Sequence, residues 1–451
     1  MRKLRVAVIG AGPAGIYASD ILTSEYEAAT VDLFDRLPAP YGLVRYGVAP
    51  DHPRIKEIIK ALRRVLSRDE IRFIGNVHYG TDITLTDLRR HYDAVIFSTG
   101  ARRDRPLDIP GIDLPGSYGA ADFVSWYDGH PDVPRTWPLE AREVAVLGAG
   151  NVALDIARML AKPADEQLGT EIAGNVYQGL ALNKATDIHV FARRGPAQIK
   201  FSPMEFRELS HSPSVDVIVH PEGFEIDEAS QKAINSTKSI KLVVDTMMKY
   251  MDRESTDAPR RIHMHLCQSP VAVLGTDAVE GLRTERTELI GDGTVRGTGE
   301  FTDWPVQAVY RAVGYLSSHL ADLPFDHHGG VVPNDAGRVL DADWMVVDAT
   351  YVTGWIKRGP IGLIGHTKSD AAETIASLLA DLPGLRPPEV DDPDAILGHL
   401  SGNGVDYTTW AEWERLDAHE VALGAEQGRE RVKLVPRADM ITAGRRPPTP
   451  R

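Results

Sequence analysis

The feature that most constrains this fold is the stretch VAVIGAGPAGIYASDIL, residues 6–22, together with the VDLFD that ends at Asp35. An unbroken apolar run of this kind is typical of a parallel strand buried on both faces, and a helical pattern follows it at once. Gly10, Gly12 and Gly15 give G-x-G-x-x-G, in which the glycines allow a sharp turn, a close approach to a pyrophosphate, and contact between helix and strand. The acid at the end of the second strand can accept the hydroxyls of a ribose. The sequence therefore predicts a dinucleotide-binding βαβ unit.

A second fingerprint lies in EVAVLGAGNVALDIARML, residues 143–160. It repeats the strand, Gly148, Gly150 and the helix, with Ala153 in place of the third glycine, as the pattern permits. Two complete fingerprints indicate two dinucleotides, because each needs its own. The chain is therefore predicted to be an α/β protein with two Rossmann-like, three-layer dinucleotide-binding domains.

The strand after the second fingerprint, DIHVFARRG at 187–195, ends in Arg193 and Arg194. An NAD site has an acid at this position, whereas two guanidinium groups match a 2′-phosphate by bidentate, charge-assisted hydrogen bonds. We interpret the second site as an NADP site. Because residues 161–186 exceed the usual spacing of about 20 residues, we expect an inserted helical excursion. A solvated arginine pair at a strand end remains the alternative.

Composition excludes several classes of function. The balance of 50 basic and 64 acidic residues gives a net charge of −14, which argues against nucleic acid or an anionic membrane as the main partner. The single cysteine, Cys267, cannot form an internal disulfide, a CxxC pair or a four-thiolate cluster, and we interpret it as a small buried hydrophobe. We predict no metal site.

The sequence also bears on the compartment. No apolar run has the roughly 18 residues of a membrane span. Because the first strand begins close to Met1, we expect no leader peptide and a reduced, cytoplasmic compartment.

The order of motifs predicts a discontinuous first domain. The Pro/Gly-rich crossing DIPGIDLPGS (108–117) marks a hinge, and AVYRAVGY (308–315) marks the return. The predicted divisions are 1–105 plus 311–390 for the first domain, 106–310 for the second, and 391–451 for a helical tail that packs on the first domain and ends in a disordered Arg445–Arg451.

Two segments that follow Asp35 are candidates for ligand and partner contacts. PAPYGLVRYGVAPDHP, residues 38–53, is rich in Pro, Gly and aromatic residues and indicates an ordered loop over a ligand. A basic helix is predicted from Pro53 to Arg68, and with a net charge of −14 an acidic partner would need such a local basic surface. A solvated helix face is the alternative. The candidate docking residues are Lys60, Arg63 and Arg64 on this helix and Lys200 and Arg207 in the second domain.

Several motifs are more selective than the glycine patterns: GLVRYGVAPDHP, GNVALDIAR, RRGPAQ, GWIKRGP and, in the tail, WERLDAHEVALG. In these motifs the chain resembles the adrenodoxin reductase family, the NADPH-dependent ferredoxin reductases with a glutathione-reductase-like fold. Gly354-Trp355 supports this placing, because the broader two-dinucleotide flavoproteins usually carry Gly-Asp there. The resemblance implies FAD and NADP(H) as cofactors, hydride transfer from NADPH to FAD, and single-electron transfer to a ferredoxin, an acidic iron–sulfur protein.

The resemblance also implies particular contacts with each cofactor. For FAD these are Ala14, Asp35, Leu43, Val77, Trp355 and the backbone of Gly362, Leu363 and Ile364. For NADP they are Arg105, Asn151, Val152, Ala153, Leu154, Arg193, Arg194, Glu205 and Gly362. Two positions depart from the family pattern: Ala192 precedes the arginine pair where a glycine is usual, and Ile361 replaces a threonine beside the flavin. His52 and Asp155 lie in family motifs and are candidates for proton handling, with the positioning of a loop as the alternative.

Other enzyme classes fit the residues less well. A flavin monooxygenase also uses two fingerprints, but no F-x-G-x-x-x-H lies between them here. One cysteine excludes a disulfide reductase and the small subunit of a glutamate-synthase-type enzyme. An NADPH:quinone-type diaphorase and a non-catalytic dinucleotide-binding protein remain open. The residues do not identify the electron acceptor or the direction of flow, and among oligomeric states a monomer is favoured.

Overall fold

The computed structural model describes residues 2–361 and 364–447, with only the backbone described at positions 364 and 366. The chain forms two compact units. The first comprises Met1–Arg103, Asp128–Asp132 and Tyr315–Arg451, and the second comprises Asp104–Tyr127 and Val133–Gly314. The short segment Asp128–Asp132 thus belongs to the first unit, although its neighbours in sequence belong to the second.

The strands of the described residues are mostly short, and most of those up to β10 alternate with helices, as expected of an α/β protein. They are β1 (Leu4–Ile9), β2 (Ala29–Phe34), β3 (Ile71–Gly75), β4 (Ala94–Phe97), β5 (Arg103–Asp104), β6 (Ser117–Gly119), β7 (Glu143–Leu147), β8 (Asp187–Phe191), β9 (Val215–Val219), β10 (Arg260–His265), β11 (Gln268–Leu274), β12 (Gly281–Leu289), β13 (Val295–Trp304), β14 (Ala308–Arg311), β15 (Tyr315–Leu316), β16 (Asn334–Asp335), β17 (Arg338–Leu340), β18 (Val346–Val352) and β19 (Thr408–Thr409).

The helices of the described residues are α1 (Pro13–Glu25), α2 (Leu43–Tyr46), α3 (Pro53–Lys56), α4 (Ile59–Leu66), α5 (Leu85–His91), α6 (Ala120–Tyr127), α7 (Asn151–Ala161), α8 (Gly174–Ala181), α9 (Pro203–Glu208), α10 (Glu228–Ser236), α11 (Lys238–Met251), α12 (Trp355–Arg358), α13 (Ile364–Asp381), α14 (Ala395–Gly402), α15 (Trp410–Ala425) and α16 (Arg437–Arg445). Single 3-10 turns occur at Ala164–Gln167, Pro196–Gln198, Pro221–Gly223 and Leu382–Gly384. Within the described ranges, no helix combines the length and the apolar character that crossing a membrane requires.

The first unit is built on one twisted sheet with the strand order β16-β17-β18-β4-β1-β2-β3-β19. Its five central strands, from β18 to β3, are parallel, and β1 lies in the middle, paired with β2 and β4. Val6 and Val8 of β1 face an apolar layer that includes α1, α13 and α15, whereas Ala7 and Ile9 face a second apolar layer on the other side. Both faces of the sheet are covered, which explains why the sequence of β1 is apolar throughout.

The second unit contains a parallel sheet with the strand order β6-β14-β7-β8-β10-β9. Two parallel-sheet units of this kind confirm the predicted α/β class with two dinucleotide-binding domains. The insertion expected before β8 contains α8 and a 3-10 turn. The antiparallel sheet β11–β12–β13 was not predicted, because β13 is exposed along most of its length and lacks the apolar alternation that indicates a strand.

Two further predictions are corrected by the structure. The basic helix expected over Pro53–Arg68 is divided into α3 and α4, because Lys60 N–H and Ala61 N–H donate to the carbonyls three residues back and tighten the chain into a 3-10 turn. In the tail, Arg445 is the last residue of α16 and pairs with Asp406 and Glu412, so disorder does not begin there. Residues 448–451, the rest of the segment predicted to be disordered, lie outside the described residues.

Four histidines stack on one face of the parallel sheet in the second unit, and they form two hydrogen-bonded rows that each begin at a carboxylate. The first row runs from Glu143 Oε2 to His189 Nε2 (2.9 Å) and from His189 Nδ1 to His265 Nε2 (3.0 Å). The second runs from Asp187 Oδ1 to His263 Nε2 (3.0 Å) and from His263 Nδ1 to His220 Nε2 (3.1 Å). Burial lowers the pKa of His263 to about 4 and that of His265 to about 2.

Lowering the pH from 6.5 towards 4 is therefore expected to destabilise the second unit. The histidines of the unfolded chain take up protons near pH 6.5, whereas His263 and His265 stay neutral in the folded unit, so stability is full above that pH and falls below it. The loss should reach about 1–3 kcal/mol for each histidine near pH 4. The check is urea unfolding at a series of pH values. His265→Phe should show a smaller pH dependence than the wild type, and an equal dependence would contradict this assignment.

Candidate functional site

The carboxyl ends of β1, β2, β3, β4 and β18 meet at one edge of the first sheet because these strands are parallel. Crevices outside this edge are where open α/β sheets bind ligands. The turn from Gly10 to Gly15 follows β1, Asp35 follows β2, Val77 follows β3, and Trp355 follows β18. The structure thus gathers predicted FAD residues from four separate segments of the chain at one edge.

The glycines after β1 differ in what surrounds them. A Cβ on Gly10, whose φ is +112°, would lie 2.6 Å from Ser98 O, and one on Gly15 would lie 2.1 Å from Gly10 O. Among the described atoms, a Cβ on Gly12 would meet nothing nearer than Gly42 Cα at 3.9 Å. The turn is therefore closed against the protein at Gly10 and Gly15 and open at Gly12. Since no described side chain caps the start of α1, its first N–H groups are available to an anion.

Asp35 is held in place from the backbone. Ala11 N–H donates to Asp35 Oδ2 at 2.8 Å, and Leu37 N–H donates to Asp35 Oδ1 at 2.9 Å. Burial raises the pKa of this carboxyl, and the two N–H donors act in the opposite direction. The carboxyl orientation is therefore set before any ligand binds, and each oxygen retains a lone pair that can accept a further hydrogen bond.

The loop that carries Leu43 approaches the glycine turn directly. Tyr41 N–H donates to Ala11 O at 2.8 Å, and a Cβ on Gly42 would lie 3.1 Å from Gly12 Cα. The segment before Trp355 closes the other side, because a Cβ on Gly354 would lie 2.6 Å from the Ala14 Cβ.

The helix α13 comes after β18 and α12 in the chain. Gly362 and Leu363, two of the predicted FAD residues, lie outside the described residues, and Ile364 is described only as the first backbone position of α13. Ile361, predicted to replace a threonine beside the flavin, is 72% exposed.

The second fingerprint has the same geometry in the second unit. A Cβ on Gly148, whose φ is +146°, would lie 2.2 Å from Ala312 O, whereas no described atom lies within 4 Å of a Cβ on Gly150. No described side chain caps α7, which begins at Asn151. Val152 is half-buried, while the side chains of Ala153 and Leu154 are fully buried, so any contact that these two make with a nucleotide comes from the backbone.

Arg193 and Arg194 lie beyond the end of β8, on a backbone fixed by neighbouring strands. Thr287 Oγ1 donates to Arg193 O at 2.7 Å, and Cys267 N–H donates to Arg194 O at 3.3 Å. Arg105 is exposed, and its N–H donates to Gly314 O at 2.8 Å. In the part of the chain that the structure describes, none of the three guanidinium groups forms an ion pair, so all three can bind an anion.

The two candidates for proton handling are both buried, and each lies in a different unit. Asp155 accepts a hydrogen bond from Arg158 Nη2 at 2.7 Å, and Arg158 Nη1 lies 3.9 Å from Glu205 Oε2. Arg158 was not among the predicted site residues, although its spacing of three residues from Asp155 on α7 is a signal that indicates such a pair. His52 precedes α3, and its carbonyl accepts from Ile55 N–H and Lys56 N–H. The ion pair of Asp155 thus lies within α7, and these two hydrogen bonds of His52 use its backbone.

The glycine turn of each unit is closed at its first glycine and open at its second, where a helix begins without a cap from any described side chain. This arrangement defines a class of protein with two dinucleotide sites. In agreement, residues 4–350 match the family model described as pyridine nucleotide-disulphide oxidoreductase. The chain is 38% identical to NADPH-ferredoxin reductase FprA of Mycobacterium tuberculosis over 98% of this chain and 100% of the relative. It is 35% identical to mitochondrial NADPH:adrenodoxin oxidoreductase of Bos taurus, over 97% of this chain and 91% of the relative.

A solved structure gives the same result. Mycobacterium tuberculosis FprA in complex with NADPH is similar to this chain with a TM-score of 0.90 and 36% identity, over 98% of this chain and 100% of that one. The chain belongs to the adrenodoxin reductase family. Membership confirms the predicted resemblance, and FAD and NADP(H) fit both the family and the two open glycine turns.

Substituting Gly12 by valine should yield a folded protein that purifies without flavin. The structure leaves room for a side chain within the protein itself, but that side chain would occupy the space where a pyrophosphate must pass. Visible absorbance and far-UV circular dichroism of the purified variant check the result. Gly169→Val is the matched control, because Gly169 is exposed and a Cβ there would have no described atom within 4 Å. Stoichiometric flavin in Gly12→Val would show that the first fingerprint has been misread.

Proposed function

We propose that this protein is an FAD-containing NADPH–ferredoxin reductase, which takes electrons from NADPH and passes them one at a time to a ferredoxin-type iron–sulfur protein. The observation that carries the proposal is the pair of open glycine turns, the second of which is accompanied by arginines beyond β8 that pair with no described carboxylate. Bound FAD would supply the conversion between two-electron and one-electron chemistry. The names of the two relatives contain ferredoxin and adrenodoxin, which supports this class of acceptor.

The residues of the chain would act by binding and orientation. The first N–H groups of α1 would hold the FAD pyrophosphate, and Asp35 would accept hydrogen bonds from the adenosine ribose. In the second unit, α7 would hold the NADP pyrophosphate, and the arginines would bind the 2′-phosphate. Leu43, Val77, Trp355 and the segment Gly362–Ile364 remain proposed FAD contacts. Glu205 and Gly362 remain proposed NADP contacts.

Proton handling by side chains is not needed for this reaction. Asp155 lies in a buried ion pair with Arg158 of the same helix, α7, so its carboxylate is already engaged by a guanidinium. Asn151 links two helices of the second unit. Its Oδ1 accepts from Ser202 N–H at 2.9 Å and so fixes the start of α9, which carries Glu205. We propose that these residues shape the NADP site and that His52 positions the loop before α3. The cytoplasmic location and the monomeric state remain predictions.

Replacing Arg193 and Arg194 together by alanine should weaken NADPH binding strongly and NADH binding very little. Two charge-assisted contacts with the 2′-phosphate are worth about 3 kcal/mol or more, which is roughly a hundredfold in affinity. Fluorescence titration of the purified holoprotein with each nucleotide measures the difference. Arg296→Ala is a suitable control, since Arg296 is an exposed arginine of the same unit that pairs with Glu288 at 2.5 Å. Equal losses for NADPH and NADH would overturn the assignment of the 2′-phosphate site.

The structure changes the expected docking surface for the acidic partner. Arg63 Nη1 and Nη2 bind Asp417 Oδ2 and Glu414 Oε1, both at 3.0 Å, so this arginine serves the fold.

The other candidate docking residues are exposed. Lys60 Nζ lies 3.4 Å from Glu57 Oε1 in an exposed pair, which contributes little to the stability of the fold. Arg64 is exposed and forms no ion pair with any described residue. Lys200 and Arg207 are also exposed and remain docking candidates. Of the three helix positions predicted to meet a partner, Lys60 and Arg64 therefore remain.

Reversing the charge of Lys60 and Arg64 to glutamate should slow ferredoxin-dependent turnover, most strongly at low ionic strength. Charges at the rim of an interface act mainly on the association rate and are screened by salt. Reduction of a small neutral quinone by NADPH should be unchanged, because it needs no docking. Steady-state rates with both acceptors over a range of salt concentrations provide the measurement. If both activities fall together, the helix supports the fold, and if neither falls, the docking surface lies elsewhere.

A further inference from the structure

Two of the motifs that carry the family resemblance, GLVRYGVAPDHP and WERLDAHEVALG, meet in the first unit although they lie at opposite ends of the chain. Arg45 of the first motif donates from Nη2 to Glu420 Oε1 of the second at 2.6 Å. Arg45 is 4% exposed and Glu420 is completely buried. A buried charge must be paired, because removing one partner leaves the other without compensation. The proposed contacts with FAD and NADP do not explain why these two motifs come together.

The guanidinium of Arg45 is also held from its sides. It lies over the ring of Tyr46 at 5.2 Å and over the ring of Trp413 at 5.0 Å. The Trp413 ring in turn contacts the ring of Tyr41 edge to face at 5.8 Å. Tyr41 and Tyr46 are thus the first and last residues of a loop, residues 41–46, which includes the single helical turn α2 and packs around one arginine. The position of the loop depends on the position of that guanidinium.

The C-terminal segment holds Glu420 and the loop together. Glu420 Oε1 also accepts from Leu434 N–H at 3.0 Å, and Glu420 O accepts from Val432 N–H at 3.0 Å. Lys433 Nζ donates to Arg45 O at 2.8 Å. The segment Val432–Leu434 therefore holds Arg45 in two ways. It binds the backbone carbonyl of Arg45 directly, and it binds Glu420, which in turn binds the guanidinium of Arg45.

The same loop forms one wall of the candidate FAD site. Tyr41 N–H donates to Ala11 O at 2.8 Å, and a Cβ on Gly12, the open glycine of the turn, would lie 3.9 Å from Gly42 Cα. Leu43, a proposed FAD contact, follows directly. A displacement of Arg45 would therefore move the residues that line the opening, because the arginine and the residue that contacts Ala11 both belong to the short loop 41–46.

We propose that Glu420 is a positioning residue for the cofactor: it acts through Arg45 to hold residues 41–46 against the glycine turn, so that the C-terminal segment sets the retention and the surroundings of FAD. The inference rests on the proposed function only in that FAD occupies the first site. It adds a part of the chain, Glu420 together with Val432–Leu434, that makes no proposed contact with the cofactor itself.

The test is Glu420→Gln in the holoprotein. The amide keeps the shape of the side chain but leaves the Arg45 cation without its carboxylate. FAD should dissociate at least tenfold faster at a temperature where the far-UV circular dichroism is that of the wild type, and the visible circular dichroism of the bound flavin should change. Glu420→Asp, which restores the charge, should recover part of both signals. Glu414→Gln is the matched control, because Glu414 lies on the same helix and pairs with Arg63 in a partly exposed position.

A structural role alone predicts a different outcome. In that case Glu420→Gln would lower the unfolding midpoint but leave the visible spectrum and the FAD dissociation rate of the folded protein unchanged, and the proposal would be wrong. If Glu420→Gln does not fold, Lys433→Gln tests the same loop through the Arg45 carbonyl and should also release FAD faster; wild-type release from that variant would overturn the proposal. A wild-type protein without flavin would instead overturn the proposed function, so the two failures are distinguishable.

Discussion

The absence of a side chain at Gly10 and Gly148 is the constraint on which both sites depend. A Cβ at either position would collide with a carbonyl oxygen that follows a neighbouring strand, Ser98 O in the first unit and Ala312 O in the second. Only glycine lets the chain leave β1 or β7 at this angle, pass the adjacent strand and start a helix. The helix start is then left open, without a cap from any described side chain, and its N–H groups face the crevice at the strand ends.

Arginines of this chain have two different uses, and both units contain arginines that pair with carboxylates. In the first unit, arginines bind carboxylates of the same unit, as Arg45 does with Glu420 and Arg63 does with Asp417, and these contacts fix loops and helices. In the second unit, Arg193 and Arg194 have no carboxylate partner among the described residues. An arginine that is already paired contributes structure, whereas an unpaired arginine at a strand end remains available to a phosphate. This difference, more than the number of basic residues, separates scaffold from candidate binding site.

Much of the fold could be predicted because its signals are local. The strands and helices of both fingerprints, including α1 at Pro13–Glu25 and α7 at Asn151–Ala161, follow from short apolar periods and glycine spacing. The antiparallel sheet β11–β13 could not be predicted in this way, because its outer strand is exposed on both faces and carries no period. The use of Arg63 was also missed, since its partners Glu414 and Asp417 lie more than 350 residues away in sequence.

The sequence by itself determined that this chain forms two parallel-sheet units with a glycine turn after β1 in one and after β7 in the other, because those requirements act between residues close together in the chain. It also determined the family, through short motifs that are spread along the chain between Gly42 and Gly424. Only the tertiary structure decided which charged side chains are free and which are consumed by the fold, and that Glu420 lies against Arg45. The reason is physical: the partner of a charge is set by the packing of distant segments, and burial decides what the pairing is worth.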